Sequence, residues 1–269
     1  MKNLKIEIAL SLLLLAATAC SLTGTPTSPT ITPPTLQPPT AALTATSVPF
    51  YESLTVPSVA YKESQTTAPM YEITGQTPQL QGSDDPRVTT FNAAMQQLTQ
   101  NEVDAFKKNM QSVVVIPEVP NSSFDFHYEL LSSAGNKIVS IKFSFEGFTS
   151  GQAHPYHYTI TVNYDLEQSK ELTLDQLFAS NANYLQPISD YCKTQLATRD
   201  IGFQGDFTKG ADPQPENYKN WNITADGIAI TFDEYQVAPY AAGPQTVVVP
   251  YNVLSQVIQN PGPLTPFVH

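Results

Sequence analysis

The residues of this chain that could do chemistry are few and scattered. His154 and His157 stand three apart, a spacing that on a helix could bring two imidazoles to one metal ion. The segment after them, Tyr158-Thr-Ile-Thr-Val162, is aromatic and β-branched and predicts a strand, where positions three apart face opposite ways. His154-Pro155 is therefore expected to shape a loop and His157 to sit on a sheet face, with no metal between them. Asp84-Asp85 and Asp233-Glu234 are adjacent carboxylates. Acid–base attack on a glycan needs two carboxylates opposed at roughly 5 to 9 Å across the substrate, which sequence neighbours rarely achieve, so turns or helix caps are expected. No serine stands in a G-x-S-x-G or S-x-x-K setting, and no glycine-rich phosphate loop occurs. The expectation is a protein with no catalytic residue, no cofactor and no metal.

Two loops remain as a candidate ligand surface, Gly151 to Tyr156 and Ala238 to Pro244. Both are rich in Gly, Pro, Ala and Tyr, which leaves backbone groups accessible and an aromatic ring at hand, and binding loops on rigid sheets are common. The residues singled out are His154, Pro155, Tyr156, Trp221, Pro239, Tyr240 and Gly243, with Tyr156, Tyr240 and Trp221 suited to stack on sugar rings.

These loops need strands and helices to hold them. Tyr71-Glu-Ile-Thr74 reads as a first strand. Asp85-Pro86 opens a helix, the Asp as cap and the Pro at the first helical position. Val88, Phe91, Met95, Leu98, Glu102 and Phe106, with Val103 beside them, mark one face of that helix to about Met110. Phe124 to Leu131, Ile138 to Phe145 and Tyr156 to Tyr164 alternate as strands, the first pair turning at Ala134-Gly135-Asn136. Thr173 and Gln176 have the spacing of a capping box. A helix is expected over about Tyr184 to Thr198, and its apolar face makes Cys192 a buried structural thiol. Ala225-Asp226 joins two strands of a hairpin, Thr246 to Val249 is a last strand, and Tyr251 to Ile258 a last helix. Strands in hairpins with helices between them make an α+β fold, rich in antiparallel pairing.

The N-terminus addresses the chain. Lys2 and Lys5 precede a short apolar run, well under the ~20 residues of a membrane-spanning helix, and Ala17-Thr18-Ala19 leads into Cys20. The expectation is a signal peptide over 1–19 and a lipidated Cys20, which would anchor the protein on the outer side of a bacterial membrane. From Leu22 to about Pro49 the chain is uncharged and rich in Thr and Pro, a composition suited to an extended stalk. The formal charge is −11, and because residues 1–19 carry Lys2, Lys5 and Glu7 the remainder is slightly more acidic still. Such a chain repels phosphate backbones, which argues against nucleic acid, and attracts basic partners.

Gly151-Gln-Ala-His-Pro155, Asn163-Tyr-Asp-Leu166, Lys170-Glu-Leu-Thr-Leu-Asp-Gln-Leu-Phe178 and Tyr235-Gln-Val-Ala-Pro-Tyr-Ala-Ala-Gly-Pro244 occur in this order. Together they resemble the extracytoplasmic domain of unknown function shared by the lysozyme-sensing anti-sigma factor RsiV and the peptidoglycan deacetylase PdaC, where it is accessory to the catalytic domain. The helix from Pro86 resembles the smaller domain that precedes it. The resemblance implies a PdaC-like strand–helix subdomain over 51–120 and an RsiV-like α+β domain over 121–260, after a linker over 20–50. Thr231-Phe-Asp-Glu234 is also similar to a polysaccharide deacetylase motif, but it lacks the following glycine and the downstream histidine pair, so it is expected to be a strand end. The function expected is a non-catalytic, lipid-anchored binding module at the cell envelope. Its partners would be peptidoglycan or a basic wall-active protein of the lysozyme type, as the resemblance implies. An envelope glycan hydrolase or esterase, and a purely structural envelope lipoprotein, are the alternatives.

Overall fold

A computed structural model describes residues 49–114, 118–132 and 137–268. The signal, Cys20, the stalk and the Ala134–Asn136 turn lie outside these residues. The chain runs through β1 (Ser58–Gln65), β2 (Tyr71–Pro78), α1 (Pro86–Met110), β3 (Ser122–Leu130), β4 (Ile138–Phe148), β5 (Tyr156–Asp165) and the short β6 (Lys170–Glu171). It continues through α2 (Leu185–Ala197), β7 (Trp221–Ile223), β8 (Gly227–Phe232), β9 (Gln245–Pro250) and α3 (Tyr251–Leu254). The first six strands form one sheet in sequence order and the last three a second. Every pairing is antiparallel except β2 with β3, which is parallel. A parallel neighbour needs a crossover, and α1 supplies it. The fold is α+β, and strands before and after residue 120 share one sheet.

α1 starts where Asp85 accepts a hydrogen bond from the Arg87 amide (2.9 Å), and Pro86 stands first in the helix, where no amide is needed. Its buried face is Val88, Phe91, Met95, Thr99, Val103, Phe106 and Met110, while Leu98 and Glu102 lie at its margin. This face packs on the inner side of the large sheet, which carries an aromatic ladder. Phe106 stacks on Phe124 (5.1 Å between centroids), Phe124 on Phe145 (5.9 Å) and Phe145 on Tyr158 (5.0 Å). Each such ring, taken fully out of water, contributes about 1.5–3 kcal/mol.

A second core lies under the small sheet. Ile188, Cys192 and Leu196 of α2 meet Ile228, Ile230, Phe232, Val247 and Val249. Burial pushes the Cys192 thiol up to about 12, which keeps it protonated and inert at neutral pH. The helix expected over Tyr251 to Ile258 ends at Leu254 instead. Beyond it the chain bonds to the segment before α2, with Val257 O accepting from Ala179 N and Gln259 N donating to Leu177 O. These pairings, and the bridge of Phe178 to Ile258, compete successfully with further helical turns.

The two sheets meet through polar side chains. Alternation along β4 and β5 sends Ser140, Ser144 and Glu146, and His157, Thr159, Thr161 and Asn163, to the side away from α1. At one end of that outer side, Ser140 Oγ donates to Asn163 Oδ1 (2.7 Å) and Asn163 Nδ2 donates to Trp221 O (2.7 Å). Asn222 Nδ2 reaches Ser140 Oγ (3.0 Å) and Ile141 O (2.9 Å), and Ile223 N donates to Asn163 Oδ1 (3.0 Å). β7 is thus bolted onto β4 and β5 by side chains rather than by a ladder.

Candidate ligand-binding surface

The other end of the same outer side is where the two candidate loops meet. β8 stops at Phe232, and the turn after it is fixed from both directions. Asp233 Oδ1 accepts from the backbone amide of Thr159 (3.1 Å) and Oδ2 from Asn220 Nδ2 (2.9 Å). Gln236 Nε2 donates to the carbonyls of Gly210 and Asn217 (2.9 Å each). Thr231-Phe-Asp-Glu234 is accordingly a strand end with a structural aspartate.

The loop then folds back so that Tyr240 rests against the start of β5. Its hydroxyl donates to Pro155 O (2.9 Å), the same carbonyl that His154 Nδ1 contacts at 2.8 Å. The Tyr240 ring lies 4.4 Å from the His154 ring and 6.2 Å from that of His157. Desolvation, and then the charge of Glu234, push the Tyr240 phenol up, so it remains a hydrogen-bond donor. Gly243 turns the chain out of this loop at φ +64°, ψ −175°, a conformation a side chain disfavours. The exposed Pro239 stands at the rim. Tyr235 adds a further ring 5.7 Å from Tyr240, is 59% exposed, and is held at φ +64°.

Five of the seven residues singled out from sequence are therefore gathered here: His154, Pro155, Pro239, Tyr240 and Gly243. Tyr156 stands beside them at the strand start but turns to the inner side of the sheet, stacked on Tyr158 (6.3 Å) and lying directly over Gly147, where any Cβ would collide with its ring. Trp221 is a correction. It is 5% exposed and belongs to the second core, with its backbone committed to Thr161 and Asn163, so it offers no face to a ligand.

Three residues that sequence reasoning did not select complete the site. His157 Nε2 is 3.4 Å from Glu146 Oε2, its cross-strand neighbour, and Nδ1 is 2.9 Å from Glu234 Oε1. The second contact is close, yet Nδ1 is buried and completes no hydrogen bond among the described residues. Beside this trio, the in-register pair His127 and Ser144 and the loop residue Pro244 line a pocket of about 210 Å³. Among the described residues no three His, Cys, Asp or Glu side chains converge as metal ligands, and no helix is long and apolar enough to cross a membrane.

Comparison with known proteins places this architecture. Residues 175–252 match a family described as protein of unknown function, DUF3298. Over 171 residues, 63% of the chain, the sequence is 26% identical to the peptidoglycan-N-acetylmuramic acid deacetylase PdaC of Bacillus subtilis, of which the match spans 36%. It is 27% identical over 109 residues to the immunogenic protein MPT64 and 29% over 104 residues to the esterase Rv3036c, both of Mycobacterium tuberculosis, at 47% and 45% of their lengths. The chain thus spans less than half of each of these relatives. Among solved structures, a DUF3298 protein from Bacteroides fragilis superposes with a TM-score of 0.61 at 16% identity, covering 78% of this chain and 96% of that one. Another from Pseudomonas aeruginosa gives 0.58 at 17%, covering 78% and 97%. The resemblance carried by the motifs between Gly151 and Pro244 therefore holds: residues 175–252 match DUF3298, the chain is related to PdaC, and its fold is that of the solved DUF3298 structures.

Proposed function

We propose that this protein is a lipid-anchored, extracytoplasmic binding module of the bacterial cell envelope that performs no reaction of its own. The observation that carries the reading is the cluster of Tyr235, Tyr240 and His154, with carboxylates from Glu146 and Glu234 beside it, displayed on a turn fixed at both ends. Aromatic faces flanked by carboxylates suit a sugar ring or a cationic side chain. Similarity to a deacetylase named for peptidoglycan supports an envelope setting. The formal charge of −11 favours encounter with a basic protein, such as a wall hydrolase of the lysozyme type.

Titration of the protein with lysozyme at low salt and near 0.15 M, alongside sedimentation with purified peptidoglycan, tests this. Field-driven attraction is screened over ~8 Å at physiological ionic strength, so specific binding weakens with salt but persists. Retention of neither ligand sinks the reading. The anchor is tested separately: Cys20→Ser is expected to move the protein out of the membrane fraction, and an unchanged lipidated species removes that part.

A second reading, hydrolysis of an ester, draws on the similarity to a protein named an esterase and on Ser144 lying beside His127 and His157 in the pocket. Turnover of a short-chain chromogenic ester that is abolished by Ser144→Ala would establish it in place of the first.

A further inference from the structure

Glu234 stands out among the acidic residues of the described structure. Its side chain is only 9% exposed, its near neighbour is His157 Nδ1 at 2.9 Å, and it makes no hydrogen bond among the described residues. A carboxylate withdrawn from water normally recovers the loss through hydrogen bonds or a well-aligned counter-charge. Here the near contact of the carboxylate is an imidazole nitrogen that is itself buried and completes no hydrogen bond among the described residues, and both side chains border the same open pocket. The pocket, at about 210 Å³, falls below the ~300–1,000 Å³ of sites that enclose whole small molecules. It is the right size for one side chain.

We propose that this pocket binds the ammonium group of a lysine side chain presented by a basic partner protein. This deepens the reading above and rests on it for the partner's identity. An ammonium carries three donors and no acceptor. Acceptors are available in the carboxylates of Glu234 and Glu146, which flank the two nitrogens of the His157 ring. An ammonium is also the more compact cationic head, a point charge on a slim stem, which suits a pocket of this modest volume. The turn that carries Glu234 is held by Asp233 and Gln236, so the acceptors are placed before the ligand arrives.

The experiment is calorimetric titration of the full chain with an acetylated, amidated tetra-lysine peptide, with lysozyme, and with a glucosamine oligomer as the wall-derived source of amines. The variants are Glu234→Gln, Glu146→Gln and, as a charge-matched control on an exposed residue that does not line the pocket, Glu216→Gln. Loss of one charged hydrogen bond corresponds to about a tenfold or greater weakening. Tetra-lysine is expected to bind the wild type and the control equally and both pocket variants at least about tenfold more weakly. Equal binding to all four proteins, or none to the wild type, overturns the pocket whatever lysozyme does. Sensitivity to Glu234→Gln with the glucosamine oligomer but not with tetra-lysine overturns the lysine assignment. Pocket-dependent tetra-lysine binding without lysozyme binding leaves the pocket standing and removes lysozyme as the partner. Should Glu234→Gln fail to fold, Glu146→Gln carries the test, since Glu146 is 56% exposed and no core depends on it.

Discussion

The outer side of the large sheet has two ends built from similar residues and finished differently. At one end Ser140, Asn163 and Asn222 are buried, and their hydrogen bonds lock β7 onto β4 and β5, leaving only Asn222 Oδ1 without a partner among the described residues. At the other, Ser144, Glu146 and His157 face a pocket, and the imidazole nitrogen nearest Glu234 is unsatisfied. The closed end spends its polarity internally, on joining two sheets. The open end keeps its polarity available. Polar residues on one strand face can thus serve architecture or recognition, and the state of their hydrogen bonds tells which.

Substitutions can break this contrast or sharpen it. The reference for a structural effect is the helix-covered side, where Phe91→Asp or Val88→Asp places an unpaired charge in the aromatic core. Several kcal/mol should be lost, and the folded state with it. Thermal unfolding checks this, and wild-type stability in both variants would mean that the α1 face does not hold the sheet. At the closed end, Asn163→Ala strips partners from Ser140 Oγ, Trp221 O and Ile223 N, for an expected loss of about 3 kcal/mol in denaturant unfolding. At the open end, His157→Gln should shift stability by no more than about 0.5 kcal/mol while changing ligand binding. A large loss there would erase the distinction between the ends.

Cys192 gives a finer probe, in a Cys20→Ser background. Buried and with its thiol pushed up to about 12, it should react with a disulfide reagent at neutral pH only when the second core opens. Asn163→Ala should speed that reaction and His157→Gln should not. The smallest effect belongs to the α1 cap. The Arg87 side chain and amide hold the Asp85 carboxyl down to about 2 from its usual 3.8. A depressed folded-state value contributes stability at neutral pH that is lost as pH falls from about 3.8 through about 2. The difference in unfolding temperature between wild type and Asp85→Asn should therefore hold down to about pH 4 and vanish across that window.

Much of this architecture was legible because its signals are local. Asp85-Pro86 and the spacing from Val88 to Phe106 announce α1, Ala225-Asp226 announces the β7–β8 hairpin, and the face carrying Cys192 announces a buried thiol. β1 escaped notice because it is an edge strand whose residues are largely exposed, so Val59 and Tyr61 stand among polar neighbours without a strong alternation. Trp221 was misassigned because a ring that packs inside a core and a ring offered to a ligand look alike in one dimension. The two loops could be picked out as aromatic and turn-rich, but the meeting of His157 with Glu146 and Glu234 could not. It depends on cross-strand register and on where the turn at Asp233 is pinned, both of which are long-range facts.

Tyr235 carries a further consequence. A bulky residue in the left-handed region forgoes roughly 1–2 kcal/mol that glycine would not. Tyr235→Gly is therefore expected to raise the melting temperature and, at the same time, to strip an exposed ring from the loop. A search for hardier variants guided by heat alone would select this change and discard affinity without noticing. Thermostability and usefulness pull in opposite directions at this one position, which makes it a site to hold fixed in any effort to engineer the protein.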